Sequence, residues 1–134
     1  MRQVNRIILH CSYTRPSQDI GAKEIRDWHV NDNGWSDIGY HWVIRRNGQI
    51  EQGRDEATPG AHVAGHNQDS IGVCMVGGMK QSEPKPDCNF TLAQWVALVS
   101  LLEELQSRYP GAEISGHRDW AARDCPTFDA KQLI

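Results

Sequence analysis

The sequence predicts a single α/β domain in which a central mixed β-sheet is flanked by helices. Two short apolar runs, residues 6–11 and 70–76, have the composition of buried strands. A hairpin signal lies between them, and two segments with helical spacing alternate with the strands. The predicted order β-α-β-β-β-α-β is typical of a mixed sheet with helices on its faces.

The first third of the chain predicts one strand and one helix. Arg6–Cys11 is short and rich in β-branched residues, which suits a buried strand and places His10 near its end. From about Ala22 to Val30, apolar residues recur at helical spacing until Asn33-Gly34 interrupts the pattern. This segment is therefore predicted to be an amphipathic helix.

The middle of the chain predicts a hairpin, a loop and a central strand. Residues 40–44 and 49–51 flank Asn47-Gly48, a strong hairpin signal. Residues 57–67 are rich in glycine and histidine without periodicity, and predict a loop. Residues 70–76 form a continuous apolar run typical of a central strand.

A close backbone approach and a second helix are predicted in the second half. Gly72 interrupts a strand pattern, which indicates that another group comes close to the backbone there. Thr91 and Gln94 have capping-box spacing, so the second helix is predicted to begin at Thr91 and to end at Tyr109. A brief last strand at residues 114–115 follows. The predicted buried stripe of the second helix is Leu92, Trp95, Val96, Val99, Leu102 and Leu105.

Length and charge restrict the classes of function. A chain of 134 residues predicts one domain over 1–134, large enough to bury about two-thirds of its unfolded surface. A net charge of −3 with interspersed signs argues against nucleic acid or a membrane as partner. Only three consecutive apolar residues precede His10, so we expect no signal peptide and a cytoplasmic location. We also expect a monomer.

The chain has four cysteines. Without an export signal their thiols are expected to be reduced, which leaves Cys125 able to bind a metal. Cys11 and Cys74 lie in apolar runs and are interpreted as small buried hydrophobic residues. The state of Cys88 is left open.

His10, His117 and Cys125 form a candidate metal-ligand set. Two imidazoles and one thiolate, with a fourth position left for water, are a donor set that catalytic zinc sites use. His10 and His117 both lie at the ends of predicted strands, and ligands of such sheets gather beyond the strand ends. The sequence therefore predicts a hydrolase that uses Zn²⁺.

Several short motifs resemble those of one family, the zinc-dependent N-acetylmuramoyl-L-alanine amidases. These belong to the type 2 amidase and peptidoglycan recognition protein superfamily, and the likeness is greatest to the small phage lysozymes of the T7 kind. Each motif is weak alone, but they occur in order over nearly the whole chain. They are residues 9–12, 35–41, 60–67, 70–73 and 116–119, with Cys125-Pro126.

The resemblance implies an activity and assigns roles. The expected reaction is hydrolysis of the amide between N-acetylmuramic acid and L-alanine in bacterial peptidoglycan, as a phage or prophage endolysin in host lysis. The family's zinc ligands fall on His10, His117 and Cys125, and its catalytic tyrosine falls on Tyr40.

His62 and Asn67 lie in the motif that lines the family's substrate groove. The resemblance therefore implies that both residues bind substrate, and His62 can also carry protons near neutral pH. The other histidines, His29, His41 and His66, are interpreted as surface or packing residues.

Arg123 departs from the family pattern. Phage members carry a lysine two residues before the cysteine ligand, where this chain has Arg123. Arginine stays charged, so it can stabilise an oxyanion or bind a carboxylate but is a poor proton donor. Protonation of the leaving amine is then expected to pass through Tyr40 or His62.

Three alternatives stay open. One is a peptidoglycan-binding module without hydrolysis, although such receptors lack the cysteine ligand that Cys125 supplies. A second is a closed structural zinc site, for which Cys11 is the nearest fourth candidate but points to the opposite side of its strand. A third is a cytoplasmic wall-recycling amidase. Some phage relatives also bind a polymerase, and nothing in the sequence establishes that partner.

Overall fold

A computed structural model describes residues 2–133 of the chain. The predicted domain bounds, Met1 and Ile134, lie outside these residues. The fold is a single small α/β domain around a mixed five-stranded sheet, which confirms the predicted fold class. Within residues 2–133, no helix is long and apolar enough to cross a membrane.

The strands are β1 Arg6–Cys11, β2 Trp42–Ile44, β3 Ile50–Gln52, β4 Ser70–Met75 and β5 Glu113–Gly116. Their order in the sheet is β3-β2-β4-β1-β5. β1 runs parallel to both β4 and β5, β2 runs parallel to β4, and only the β2–β3 pair is antiparallel. The carboxyl ends of β1, β2, β4 and β5 therefore meet at one edge of the sheet.

The hairpin forms where the sequence predicts it, with a longer turn than the Asn-Gly pair alone indicates. Arg45 N donates to Gln49 O, and Gly48 N donates to Arg45 O, so the turn includes four residues from Arg45 to Gly48. Gly48 has a φ of 89°, a left-handed conformation that favours glycine. Gly48 thus ends the turn and returns the chain to β3.

The first helix is longer than predicted and changes its pitch. α1 spans Ala22–Asp27 and continues as a π-helical turn over Trp28–Asp32, two residues beyond the predicted end. Asn33 N donates to Trp28 O at 3.3 Å, which is the wider hydrogen-bond spacing of a π-turn. The wide turn brings His29 Nδ1 to 2.9 Å from Gly39 N, which donates to it.

The second helix begins as predicted. α2 spans Leu92–Arg108, and Thr91 caps it by accepting a hydrogen bond from Gln94 N. Phe90 packs edge-to-face on Trp95, with ring centroids 5.8 Å apart, across that cap.

The predicted buried stripe of α2 is partly wrong. Gln94 is fully buried, and its Nε2 donates to Ile44 O at 3.1 Å and to Val76 O at 2.8 Å. These bonds to the last residue of β2 and to the residue that follows β4 fix the rotation of the helix, so apolar positions on its other side face solvent. Leu102 and Leu105 are buried as predicted, together with Leu98 and Leu101, whereas Leu92, Val96 and Val99 are 80 %, 64 % and 49 % exposed.

Two apolar clusters cover the two faces of the sheet. The cluster under α2 includes Leu9 and Cys11 of β1, and the cluster under α1 includes Val43 and Cys74. Side chains alternate between the faces of a strand, so His10 points away from the α2 cluster. The two clusters pack on opposite faces of the sheet and stabilise the strands whose ends carry His10 and His117.

Candidate metal centre

His10, His117 and Cys125 lie together at the carboxyl edge of the sheet. Their ligand atoms are all within 4.8 Å of one another, and His10 is 1 % exposed. The ring centroids of His10 and His117 are 4.7 Å apart. Two imidazoles and one thiol at this spacing suit a single zinc ion, so the donor chemistry fits the predicted metal.

Parallel pairing brings the two histidines together. Leu9 on β1 pairs with Gly116, the last residue of β5. The residues that follow this pair, His10 and His117, therefore lie side by side at the same edge of the sheet. Asp119 Oδ2 accepts a hydrogen bond from Gly116 N at 2.8 Å, which fixes the 3-10 turn that carries His117.

Cys125 is held against the same two strands. Arg118 N donates to Cys125 O at 2.7 Å, and Cys11 N donates to Cys125 Sγ at 3.1 Å. A Cβ at Gly116 would lie 2.8 Å from Pro126 Cδ, so only glycine lets the Cys125-Pro126 segment pack this closely. A backbone N–H that donates to sulfur stabilises the thiolate form of the ligand.

The histidines of the cluster are held neutral. Burial, and then the nearby rings of His62 and His117, lower the pKa of His10 well below its ordinary value. Burial, and then the charge of Arg123, lower the pKa of His117. Neutral imidazoles carry the electron pair that a metal ligand needs.

Unlike the two histidines, Cys125 is not held in the protonation state that a metal ligand needs. The hydrogen bond between the Cys125 and Cys11 side chains, followed by burial, raises the pKa of the Cys125 thiol and outweighs the opposite effect of the Cys11 backbone N–H. Ligation by Cys125 therefore requires a cation strong enough to displace the thiol proton. Cys11 packs in the apolar cluster under α2 and lines the smaller cleft, and it is not one of the three residues of the metal cluster.

Tyr40 lies just before β2, beside the cluster. Its ring centroid is 5.0 Å from that of His10 and 5.6 Å from that of His29. Burial, and then the neighbouring thiols of Cys74 and Cys125, raise the pKa of Tyr40 well above its ordinary value. The phenol is therefore protonated at neutral pH and available as a hydrogen-bond donor.

His62 has a position that the sequence did not predict. The residue lines a cleft as expected but is only 8 % exposed, and both of its ring nitrogens are hydrogen-bonded inside the protein. Nδ1 shares a hydrogen bond of 2.8 Å with His10 Nε2, and Nε2 shares one of 3.1 Å with Ser70 Oγ. Burial, and then the His41 ring, lower the pKa of His62 to about 3.

Asn67 organises the loop around His62. Its Oδ1 accepts hydrogen bonds from the backbone N–H groups of His62 and Val63, each at 2.9 Å. This oxygen therefore holds the loop, while the residue also lines the cleft.

Two clefts meet at the metal cluster. One has a volume of about 510 Å³ and the other of about 400 Å³, and both are lined by Tyr40, His117 and Arg123. Arg123 is exposed between them. Trp35 and Trp120 add aromatic walls to the larger cleft, a contribution that sequence reasoning missed although Trp35 lies within a recognised motif.

The remaining histidines and cysteines have structural contacts. His41 is fully buried, with Nδ1 accepting from Gly72 N at 3.0 Å, and His66 packs on Trp120 with centroids 4.4 Å apart. His29 is part of the larger cleft wall. All four cysteines, which lie within residues 2–133, are outside disulfides.

Comparison with known proteins identifies relatives over almost the full chain. The family N-acetylmuramoyl-L-alanine amidase matches residues 1–128. An endolysin of Klebsiella phage KP32 is 47 % identical over 131 residues, which cover 98 % of this chain and 85 % of that protein. An endolysin of Escherichia phage T7 is 49 % identical over 126 residues, which cover 94 % and 82 %.

A solved structure agrees with these relatives. The N-acetylmuramoyl-L-alanine amidase LysC from Clostridium intestinale URNW superposes with a TM-score of 0.80 at 29 % sequence identity. The match covers 93 % of this chain and 77 % of that protein.

Proposed function

The chain belongs to the N-acetylmuramoyl-L-alanine amidase family and is a peptidoglycan amidase related to phage endolysins, and we propose that it works with one zinc ion held by His10, His117 and Cys125. The bond cleaved joins the lactyl group of N-acetylmuramic acid to L-alanine. The observation that carries this proposal is the convergence of the three donor atoms within 4.8 Å at the junction of two open clefts.

A zinc ion held by these three residues would act as a Lewis acid and would lower the pKa of a bound water, which is chemistry suited to amide hydrolysis at neutral pH. Among the residues of the chain, Tyr40 donates its phenolic hydrogen to the oxygen of the amide carbonyl as negative charge develops there. Arg123 adds positive charge at the cleft junction, where it stabilises that oxygen or a substrate carboxylate.

Proton delivery to the leaving amine is assigned to Tyr40. His62 was the other candidate, but its Nδ1 and Nε2 are bonded to His10 and Ser70. The raised pKa keeps the Tyr40 hydroxyl protonated at neutral pH, so a proton is present when the departing nitrogen becomes strongly basic, and the phenolate then recovers a proton from water.

The clefts suit an extended polymer with a sugar part and a peptide part. Trp35 and Trp120 offer aromatic faces in the larger cleft, and Asn67 lies in its wall. We propose that substrate contacts Asn67 and the ring carbons of His62 in this wall. The ring nitrogens of His62 do not contact substrate, because they are hydrogen-bonded inside the protein.

We propose that the protein is a monomer and that it is released from the host cytoplasm before it reaches the wall. The cysteine ligand favours hydrolysis over a binding-only module, and the relatedness to phage endolysins favours lysis over wall recycling.

Digestion of purified peptidoglycan tests the function. Mass analysis of the soluble products should show stem peptides with a free L-alanine amino group and no new reducing sugar ends. Cys125→Ala should bind peptidoglycan but release no peptides. New reducing ends in the native digest, or peptides cut at another amide, would overturn the assignment.

A further inference from the structure

A chain of buried hydrogen bonds leads from the metal cluster into the domain. His10 Nε2 lies 2.8 Å from His62 Nδ1, and His62 Nε2 lies 3.1 Å from Ser70 Oγ. Ser70 Oγ in turn donates to His66 O at 2.7 Å. His10, His62 and Ser70 are all buried, so the chain runs through the interior.

The last bond of this chain fixes the proton positions in all the others. A carbonyl oxygen only accepts, so the single hydrogen of the Ser70 hydroxyl is directed at His66 O. Ser70 Oγ must then accept from His62, which places the His62 proton on Nε2. A neutral imidazole with its proton on Nε2 has an acceptor at Nδ1, so the bond to His10 is donated by His10 Nε2.

We propose that His62 is a positioning residue which, together with Ser70, keeps the proton of the His10 ring on Nε2 and thereby leaves Nδ1 as the nitrogen that binds the metal. The reverse arrangement would put a hydrogen on His10 Nδ1 and block the ligand electron pair. Outer partners of metal-bound histidines typically fix the tautomer in this way. The inference rests on the proposed metal site and names residues that control it.

The neighbourhood of His62 is built to hold the ring in place. A Cβ at Gly72 would lie 2.7 Å from His62 Cγ, so only glycine on β4 admits the ring at this position. Asn67 Oδ1 anchors the backbone N–H of His62 at 2.9 Å. The ring is therefore confined from both the strand side and the loop side.

Ser70→Ala removes the acceptor that sets the direction of the chain. His62 can then move its proton to Nδ1 and donate toward His10, which shifts the His10 proton to Nδ1. In metal-free protein labelled with ¹⁵N-histidine, the His10 nitrogen shifts should report Nε2–H for the native chain and a growing Nδ1–H fraction for Ser70→Ala. The zinc dissociation constant, from competition with a chelator, should rise about tenfold.

Ser115→Ala is the matched control. Ser115 is also a buried serine on a strand beside β1, and its Oγ accepts a hydrogen bond of 2.9 Å from Trp120 Nε1. Its loss should destabilise the fold to a similar degree without changing the His10 tautomer or the zinc affinity. If both serine variants behave alike, or if the His10 tautomer and zinc affinity of Ser70→Ala match the native values, the proposal is wrong.

A pair of substitutions at His62 provides a second test. The Oδ1 of an asparagine lies close to where histidine carries Nδ1, so His62→Asn keeps an acceptor for His10 Nε2–H, whereas His62→Ala removes it. His62→Asn should therefore bind zinc about tenfold more tightly than His62→Ala. Equal zinc affinities would overturn the proposal.

Failure of the metal site itself would look different. A native protein that binds no zinc would remove the proposed function, whereas the His10 tautomer is measured without metal and tests the hydrogen-bond chain separately. If His10 of the native protein carried its proton on Nδ1, the proposed role of His62 and Ser70 would be refuted even though the protein binds zinc.

Discussion

Tyr40→Phe separates the chemistry of the phenol from the packing of its ring. The ring lies 5.0 Å from the His10 ring and 5.6 Å from the His29 ring, and phenylalanine keeps both contacts. Loss of one hydroxyl near the buried thiols should change the free energy of unfolding by about 1 kcal/mol or less. Fold and zinc content should therefore stay native.

Turnover should fall by about 10²–10³-fold, or ~2.7–4 kcal/mol of transition-state stabilisation. Burial raises the pKa of Tyr40, so the phenol of the native protein is protonated at neutral pH and can donate to the developing oxyanion. Arg123 is exposed, and solvent screening weakens its ability to replace that donor. Because the oxygen charge develops only in the transition state, kcat should fall while KM changes little.

The assay is the rate of release of peptides with free L-alanine amino groups, measured beside zinc content and a thermal melt. Tyr109→Phe is the matched control, because its hydroxyl donates to Glu56 Oε1 at 2.7 Å in another part of the molecule. That control should retain native turnover. A near-native rate for Tyr40→Phe with full zinc content would refute the catalytic role and leave the ring as a packing element.

Cys125→Ala should lose zinc and activity, as measured by metal analysis, yet keep a cooperative melt because the two apolar clusters support the sheet. Arg123→Lys should keep most activity and Arg123→Ala should lose about tenfold in kcat/KM, ~1.4 kcal/mol, if positive charge is what this position supplies; equal rates would make it a surface residue. Gln94→Ala should lower the free energy of unfolding in urea by about 2–4 kcal/mol, since two buried carbonyls lose a donor and α2 loses its capping box. Gly72→Ala should weaken zinc binding by about 10–100-fold, because the new Cβ would lie 2.7 Å from the His62 ring; unchanged affinity would contradict that placement.

Local patterns were sufficient for most of the fold. β1 was predicted over Arg6–Cys11 and occurs there. A strand that is covered by helices on both faces of the sheet is apolar at successive positions, and this run of apolar residues is visible in the sequence. The start of α2 followed from Thr91 and Gln94, whose capping bonds need only neighbouring residues. Strand positions and a capped helix start depend on short-range chemistry that a sequence displays directly, whereas the order β3-β2-β4-β1-β5 within the sheet depends on long-range pairing.

The rotation of α2 depends on long-range contacts. Apolar spacing favoured Leu92, Val96 and Val99 as core residues, and the structure exposes all three. Gln94 decides the outcome because its amide bonds to backbone carbonyls in two different parts of the sheet region. Hydrogen bonds from Gln94 to two buried carbonyls therefore determine the orientation of α2 more strongly than burial of the three apolar side chains would. Hydrophobic periodicity does not assign a glutamine to the core.

The candidate site divides along the same line. Donor type selected His10, His117 and Cys125, and predicted strand ends supported the two histidines. Parallel pairing of β1 with β5 brings these histidines to one edge. The contact between His10 and His62 joins residues 52 apart in sequence, and nothing in either local motif indicates it. Gly72 was the one local signal, since a glycine within an apolar strand predicts a close approach.

Metal binding and folding are therefore expected to depend on separate groups. The two apolar clusters are built from strand and helix residues that need no cation, whereas the three donors and the His62–Ser70 chain lie at the sheet edge. A preformed edge with fixed imidazole tautomers lowers the reorganisation needed when zinc binds. Zinc removal should thus abolish hydrolysis while the sheet and its helices persist, and loss of the circular dichroism spectrum on chelation would show that the edge and the core fold as one unit.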